Sequence, residues 1–412
     1  MKNKYLSPVR NRIFSNGVKW INANILLLGI VSFLNDLSSE MIMPILPMFI
    51  TALGGTGLIV GLIGGLRDSI SSILKVFAGY WSDKSGKRKI FVSSGYLTSA
   101  LFKLFLAFSK IWQHVLAFAT LERIGKGLRT APRDAIIADS MPEKRGRGFG
   151  VHRAMDTSGA VAGSIAVFLL FWFLGFNFKS IILTAGILAF LSLIPLYFVK
   201  EKRGKPQDIN LKIGLKNLPR PLKLFILISG IFALANFSYM FFILRAQEFF
   251  ISLDNVYLTG QAARLSIGMP ILLYILFNIF YVMFAIPFGE LSDKIGRKKV
   301  IVFGYLLFSL TSLGFAFFNS LTSFIVLFAL YGIVYAMVDG NQRAYVSDLS
   351  SEELRATALG TFHTAIGLAA LPASLIAGFL WQINPSITFI YGAVISIISV
   401  VLFLVFRNYF RE

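Results

Sequence analysis

Runs of about 20 mostly apolar residues, separated by short polar stretches, recur from residue 25 to residue 407. A helix needs roughly that length to cross the hydrocarbon core of a bilayer. Twelve segments qualify: 25–51, 57–80, 90–109, 113–138, 149–174, 178–199, 222–250, 266–289, 300–318, 321–346, 356–381 and 387–407. Several carry internal charges and would fail a strict hydropathy cut. The runs are too long and too uniformly apolar for the ten-residue alternating strands of a membrane barrel. The expectation is an all-α integral membrane protein with twelve transmembrane helices. One long polar stretch, 200–221, divides it into two six-helix bundles, residues 1–199 and 222–412.

Composition agrees. Charged residues make up only 15% of the 412, far fewer than in a soluble chain of this length. The 41 Phe suit lipid-facing surfaces that have no core to overpack. The first apolar run is too long for a signal-peptide core and is expected to remain as a helix. A net charge of +20 would point to nucleic acid in a soluble protein, but the basic residues form no binding face. They fall on alternate loops. Lys2, Lys4, Arg10, Arg12 and Lys19 precede the first segment, Lys84 to Lys89 follow the second, and Lys144, Arg145 and Arg147 follow the fourth. Lys200 to Arg220 fill the linker, and Arg297 to Lys299 follow the eighth segment, whereas 51–56, 319–321 and 382–386 carry none. By the positive-inside rule both termini are expected in the cytoplasm of a cell membrane protein.

The halves repeat. Residues 79–89 read GYWSDKSGKRK and residues 289–299 read GELSDKIGRKK, 210 positions apart; AIIAD at 135–139 is echoed by AYVSD at 344–348, 209 apart. Such duplication places a substrate site between the halves near mid-membrane. Within the loop, Gly79 and Gly289 read as close-packing positions where a helix ends. Asp83 and Asp293 read as acceptors just past that end, and Gly86 and Gly296 as positive-φ turns. Arg88 and its basic neighbours would anchor in the anionic leaflet or pair with acids.

On these residues the chain resembles the major facilitator superfamily, whose cytoplasmic loop motif the two copies match. Arg123 and Gly127 in LERIGKG are similar to that family's proton-coupled members. Gly159 and Gly163 resemble the drug:proton antiporter branch, although Ser164 stands where that pattern has Pro. The resemblance implies that Asp83 latches one conformational state through the start of the eleventh segment and basic residues near the end of the fourth.

An ionisable residue at mid-depth costs a few kcal/mol, so each is a candidate for function. Asp36 and Glu40 lie one turn apart in segment one, with Asn35 and Ser39 offset by one residue. They and Asp68 are candidates for proton coupling. Arg67 in segment two and Arg123 and Lys126 in segment four are candidates for substrate binding, as is Asn35. Asp36 with Arg123, or Asp68 with Lys126, would make buried pairs. Arg129, Arg133 and Asp134, nearer the basic end, suit gating. In the second half Asn236, Tyr239, Asn278, Tyr281, Tyr335, Asp339 and Asn341 offer the few polar groups that a largely apolar cavity needs. Ions would thus be handled by the first half and organic surface by the second.

Zero Cys and three His leave no metal or disulfide chemistry to expect, and no GxxxxGK-Ser/Thr loop suggests a nucleotide. No cofactor is expected. Neither an HExxH nor an Asp-rich run supports a lipid-modifying enzyme. The expected function is alternating-access secondary transport by a monomer, with protons as coupling ion and export of a small organic compound. Uptake or exchange of an anionic metabolite, or lipid flipping on the same fold, are the alternatives.

Overall fold

A computed structural model describes residues 22–142, 145–201, 218–257, 260–351 and 354–410. Lys2, Lys4, Arg10, Arg12, Lys19, Lys144 and the linker residues from Lys202 to Lys216 lie outside them. The helices are α1 (Ala23–Ile42), α2 (Leu46–Ala52), α3 (Gly57–Ser85), α4 (Arg88–Ala107), α5 (Trp112–Ser140), α6 (Arg145–Trp172), α7 (Phe178–Leu191) and α8 (Leu193–Tyr197). The second half holds α9 (Arg220–Ala235), α10 (Met240–Tyr257), α11 (Gly260–Ile295), α12 (Arg297–Phe317), α13 (Leu321–Asp348), α14 (Arg355–Ile383) and α15 (Pro385–Val405). Three pairs, α1 with α2, α7 with α8 and α9 with α10, each form one pass, so twelve passes result. Eleven of the described helical spans are long and apolar enough to cross a membrane. The twelfth pass, α5, is of full length but too rich in Arg, Lys and Glu to meet that test.

The two halves pack alike. In the first, α3 and α4 lie on α5, α1 on α6 and α4 on α7; in the second, α11 and α12 lie on α13, α9 on α14 and α12 on α15. Glycine sets the closest approaches. A Cβ at Gly159 or Gly163 would stand 2.3 Å from the Phe33 or Leu37 carbonyl oxygen, so α6 meets α1 backbone to backbone beside Asn35 and Asp36. Some phenylalanines face outward as expected, among them Phe108, Phe173, Phe303 and Phe317, but others do not. Phe225, Phe237, Phe241, Phe242, Phe308, Phe315 and Phe389 are buried in the second half, where Phe242 stacks on Tyr331 at 4.1 Å between ring centroids. With fewer charges to satisfy than the first, that half fills much of its interior with interlocking rings.

The repeated loops are helix to a later point than expected. α3 runs on to Ser85 and α11 to Ile295, so Asp83 and Asp293 sit in the last helical turn rather than beyond it. Gly79 packs with the Ala131 Cβ 3.2 Å from where its own would be, but Gly289 has open space around it and is no packing glycine here. Gly86 and Gly296 do adopt positive φ, 65° and 98°. Arg88 pairs with Asp83 and with Asp139; Arg297 pairs with Asp293 and with Asp348. The weaker echo thus ends on the acid that completes each cluster. The second loop starts its next helix one residue sooner, at Arg297 directly after Gly296, and there the repeat spacing drops from 210 to 209.

Candidate functional site

Where the loops carry few basic residues the halves are shut. A Cβ at Gly61 would stand 2.1 Å from the Ser374 oxygen, one at Gly378 2.6 Å from the Gly57 oxygen, and Gln382 donates to Thr56 at 3.0 Å. On the opposite flank Arg264 donates to the Trp172 oxygen at 2.6 Å, and Gly268 lies under the Trp172 ring. Toward the basic end α6 and α11 separate. Between them opens a cavity of about 680 Å³, lined by Asp36, Glu40, Arg153 and Asp156 on one wall and by Tyr281, Val282, Ala285 and Ile286 on the other. It shares Arg153 and Tyr281 with a neighbouring compartment at the second loop. That compartment in turn shares Asp339 and Arg343 with a third, of about 290 Å³, beside Lys75 and Lys126.

Two helix breaks meet at the closed end of this space. Pro44, which has no N–H to donate, interrupts the pass between α1 and α2, and Asn236 to Tyr239 interrupt the one between α9 and α10. Pro47, four residues on, also has no N–H, so the Met43 carbonyl lacks its helical donor, and Tyr239 of the other half donates to it at 3.1 Å. Around Met43 lie Arg67 and Arg123, both buried, whose Nη2 atoms approach its sulfur at 3.5 and 3.1 Å. Their shared acid is Glu122, at 3.8 and 3.2 Å. Arg123 therefore pairs with its sequence neighbour and not with Asp36. Asp68 is exposed and has no ion pair with Lys126; neither of the two expected pairings is formed. Two guanidiniums on one carboxylate leave unused donor capacity, and the Nε of Arg67 is buried without a hydrogen-bond partner.

Asn35 donates to Asp36 at 3.2 Å, and Glu40 accepts from Tyr274 of α11 at 2.8 Å, a bond between the halves. A second such bond runs from Asn278 to Ser164, the residue standing where the family pattern has Pro, at 3.3 Å. Tyr281 donates to Asp339 at 3.1 Å, and Asp339 pairs with Arg343. Tyr335 meets Tyr331 at 3.4 Å, and the Asn236 Oδ1 is buried without a hydrogen-bond partner. Asn341 is occupied otherwise: it accepts from Ser292 at 2.7 Å and donates to the Met337 oxygen at 2.9 Å, tying α11 to α13. The gating candidates bind within their own half in this conformation. Arg129 lies over the Tyr96 ring, Arg133 holds Asp134 at 2.9 Å and Ser32 at 3.2 Å, and Asp83 holds Arg88 at 2.9 Å.

Three residues of this region escaped the sequence reading: Tyr274, Lys75 and Lys103. Lys103 is fully buried, its ammonium on Ser39 Oγ at 2.8 Å, Ser38 Oγ at 3.1 Å and the Asn35 oxygen at 3.2 Å. The signal was present, a lysine inside an apolar run, and it warranted the same attention as the charges of α5.

Twelve helical passes in two like-packed halves around a cavity open at one end define a membrane transport protein by class. The chain belongs to the Major Facilitator Superfamily, whose family model matches residues 28–272 and 249–412. It is 60% identical over 385 residues to an uncharacterized MFS-type transporter of Methanocaldococcus jannaschii, covering 93% of this chain and 95% of that one. The multidrug resistance protein MdtG of Escherichia coli is 25% identical over 310 residues, 72% of each chain. Among solved structures the nucleoside transporter NupG superposes with a TM-score of 0.76 at 16% identity, over 94% of this chain and 99% of that one. A POT family transporter in complex with 5-aminolevulinic acid gives 0.72 at 14% identity, over 95% and 97%.

Proposed function

We propose that this chain is a proton-coupled secondary transporter that exports a small organic compound by alternating access. The observation that carries this reading is the hydrogen bond from Tyr274 to Glu40. It ties a protonatable carboxylate of one half to the packing of the other, at the wall of the central cavity. Protonation removes the charge that strengthens this bond, so proton occupancy biases how α1 sits against α11. Asp36, facing the same cavity one turn away, is the second coupling group. The aromatic and apolar residues of α11 supply the organic contact surface. The basic loops lie in the cytoplasm, with both termini, so the cavity opens inward. Residues 1–199 and 222–412 form the two rocking units of a monomer in the cell membrane. Resemblance to a multidrug resistance protein supports export.

The test is flux in proteoliposomes holding an imposed pH gradient, with ethidium and carboxyfluorescein as cationic and anionic probes. Wild-type protein is expected to move at least one of them faster with the gradient than without. Glu40→Gln should abolish that acceleration, and Asp36→Asn should weaken it. Unchanged gradient dependence in both variants would remove these carboxylates from the role.

A further inference from the structure

The compartment beside α3, α5, α13 and α14 has an electrostatic character unlike the acidic wall next to it. Its lining includes Lys75, Lys126, Arg343, Asp339 and His363, with hydroxyls from Ser71, Ser72 and Thr130. Asp339 is the lone carboxylate there, and Arg343 already pairs with it. Among the described residues neither the Lys75 nor the Lys126 ammonium has an ion-pair or hydrogen-bond partner. Both lie deep. Lys75 is ten residues, roughly 15 Å, from the basic end of α3, and Lys126 is fourteen residues, roughly 21 Å, from that of α5. Lys75 is half-buried and Lys126 is exposed to the open cavity, so both ammoniums are accessible to a ligand, at a depth that a basic loop rule does not account for.

Lys75 and Lys126 come from the first half, and Arg343 and His363 from the second. A ligand between them would touch both halves. Lys126 also continues a row on α5, one turn below Arg123, whose guanidinium shares Glu122 with Arg67. Positive charge therefore extends from the cavity floor toward its mouth on one side, and carboxylates line the other.

We infer that the transported compound carries an anionic group, a carboxylate or phosphate, held by Lys75 and Lys126. Its organic remainder then lies along Tyr281, Val282 and Ile286. This inference rests on the transporter reading of the cavity, but on neither the direction of transport nor its coupling to protons. An anion at the two lysines of the first half also faces Arg343 and His363 of the second, so its charge draws the halves together around it. Cargo binding and closure are thereby linked.

The test is equilibrium binding to purified full-length protein in a neutral maltoside detergent at constant ionic strength, read as a shift in thermal unfolding. The probes are inorganic phosphate, benzoate and glycerol 3-phosphate, with choline as cationic control. Protein in nanodiscs of phosphatidylglycerol or phosphatidylcholine distinguishes a lipid headgroup from a free anion. At least one free anion is expected to raise the unfolding temperature saturably, and equally in both kinds of disc. Its apparent affinity should fall at least tenfold in the Lys75→Gln/Lys126→Gln double variant and remain unchanged in Lys110→Gln, an exposed lysine outside the cavity. The charge-retaining Lys75→Arg/Lys126→Arg variant guards against a folding defect and should retain most of the binding. Undiminished affinity in the Gln variant, no response of wild type to any free anion, or a shift seen only with phosphatidylglycerol would each overturn the proposal. Anion binding without pH-driven flux would instead sink proton coupling and leave this site standing.

Discussion

Lys103 shows how one residue organises the first half from within. Among the described residues its ammonium has no carboxylate within ion-pair distance, and it is held by neutral oxygens of α1. Ser38 and Ser39 donate their own hydrogens to the Ala185 and Asn35 oxygens, leaving lone pairs for the lysine. Removing one acceptor leaves a buried charge short of a partner, so Ser39→Ala is expected to lower stability by about 2 kcal/mol. The same substitution on a Lys103→Met background should cost less than half as much. Thermal unfolding of the four proteins of this cycle checks it, and equal losses on both backgrounds would mean that the hydroxyl matters for some other reason. Most acids and bases along α1, α3 and α5, Lys75 excepted, were legible in the sequence as candidates, because a charge in an apolar run stands out. Their partners were not. Arg123 takes Glu122 next to it and Glu40 takes Tyr274, more than 200 residues away. Depth along a helix can be read from spacing, whereas rotation toward one neighbour or another depends on packing between helices.

At the scale of elements, glycine decides which helices meet. The α1–α6 contact has no room for a methyl group at Gly163, where the obstacle is the Leu37 backbone and cannot swing aside. Gly163→Ala should therefore reduce the yield of folded, monodisperse protein. Gly230→Ala, in α9 with open space around it, should be neutral or stabilising because alanine favours helix. Gel-filtration profiles of the two variants provide the comparison, and a well-behaved Gly163→Ala protein would argue against the close contact. The loop copies were legible as a repeat, and so was their positive φ at the second glycine. The acids that complete them, Asp139 and Asp348, appeared only as the ends of a faint echo. The structure explains the echo, since each acid takes the arginine that opens the next helix. The true ends of α3 and α11 were misplaced because apolar patterning stops before the helix does.

The whole molecule presents one state of a two-ended device. Its halves are in backbone contact along Gly57–Gly65 and Leu371–Gly378 at one end and separated between α6 and α11 at the other. Twelve passes and their division into two halves could be read from hydropathy and the long polar stretch alone, α5 included, despite its charges. Which end is open could not, because both states use the same sequence and differ by small free energies. In the proposed alternating-access cycle the closed end must open at each turnover. The chain has no native cysteine, so Thr56→Cys and Gln382→Cys, whose parent side chains touch across that end, can be joined selectively. A short bis-methanethiosulfonate bridge between them is the most direct test. Flux of whichever probe the wild type carries should stop in the bridged protein and return when a reductant cleaves the bridge. Undiminished flux through fully bridged protein would contradict alternating access at this interface.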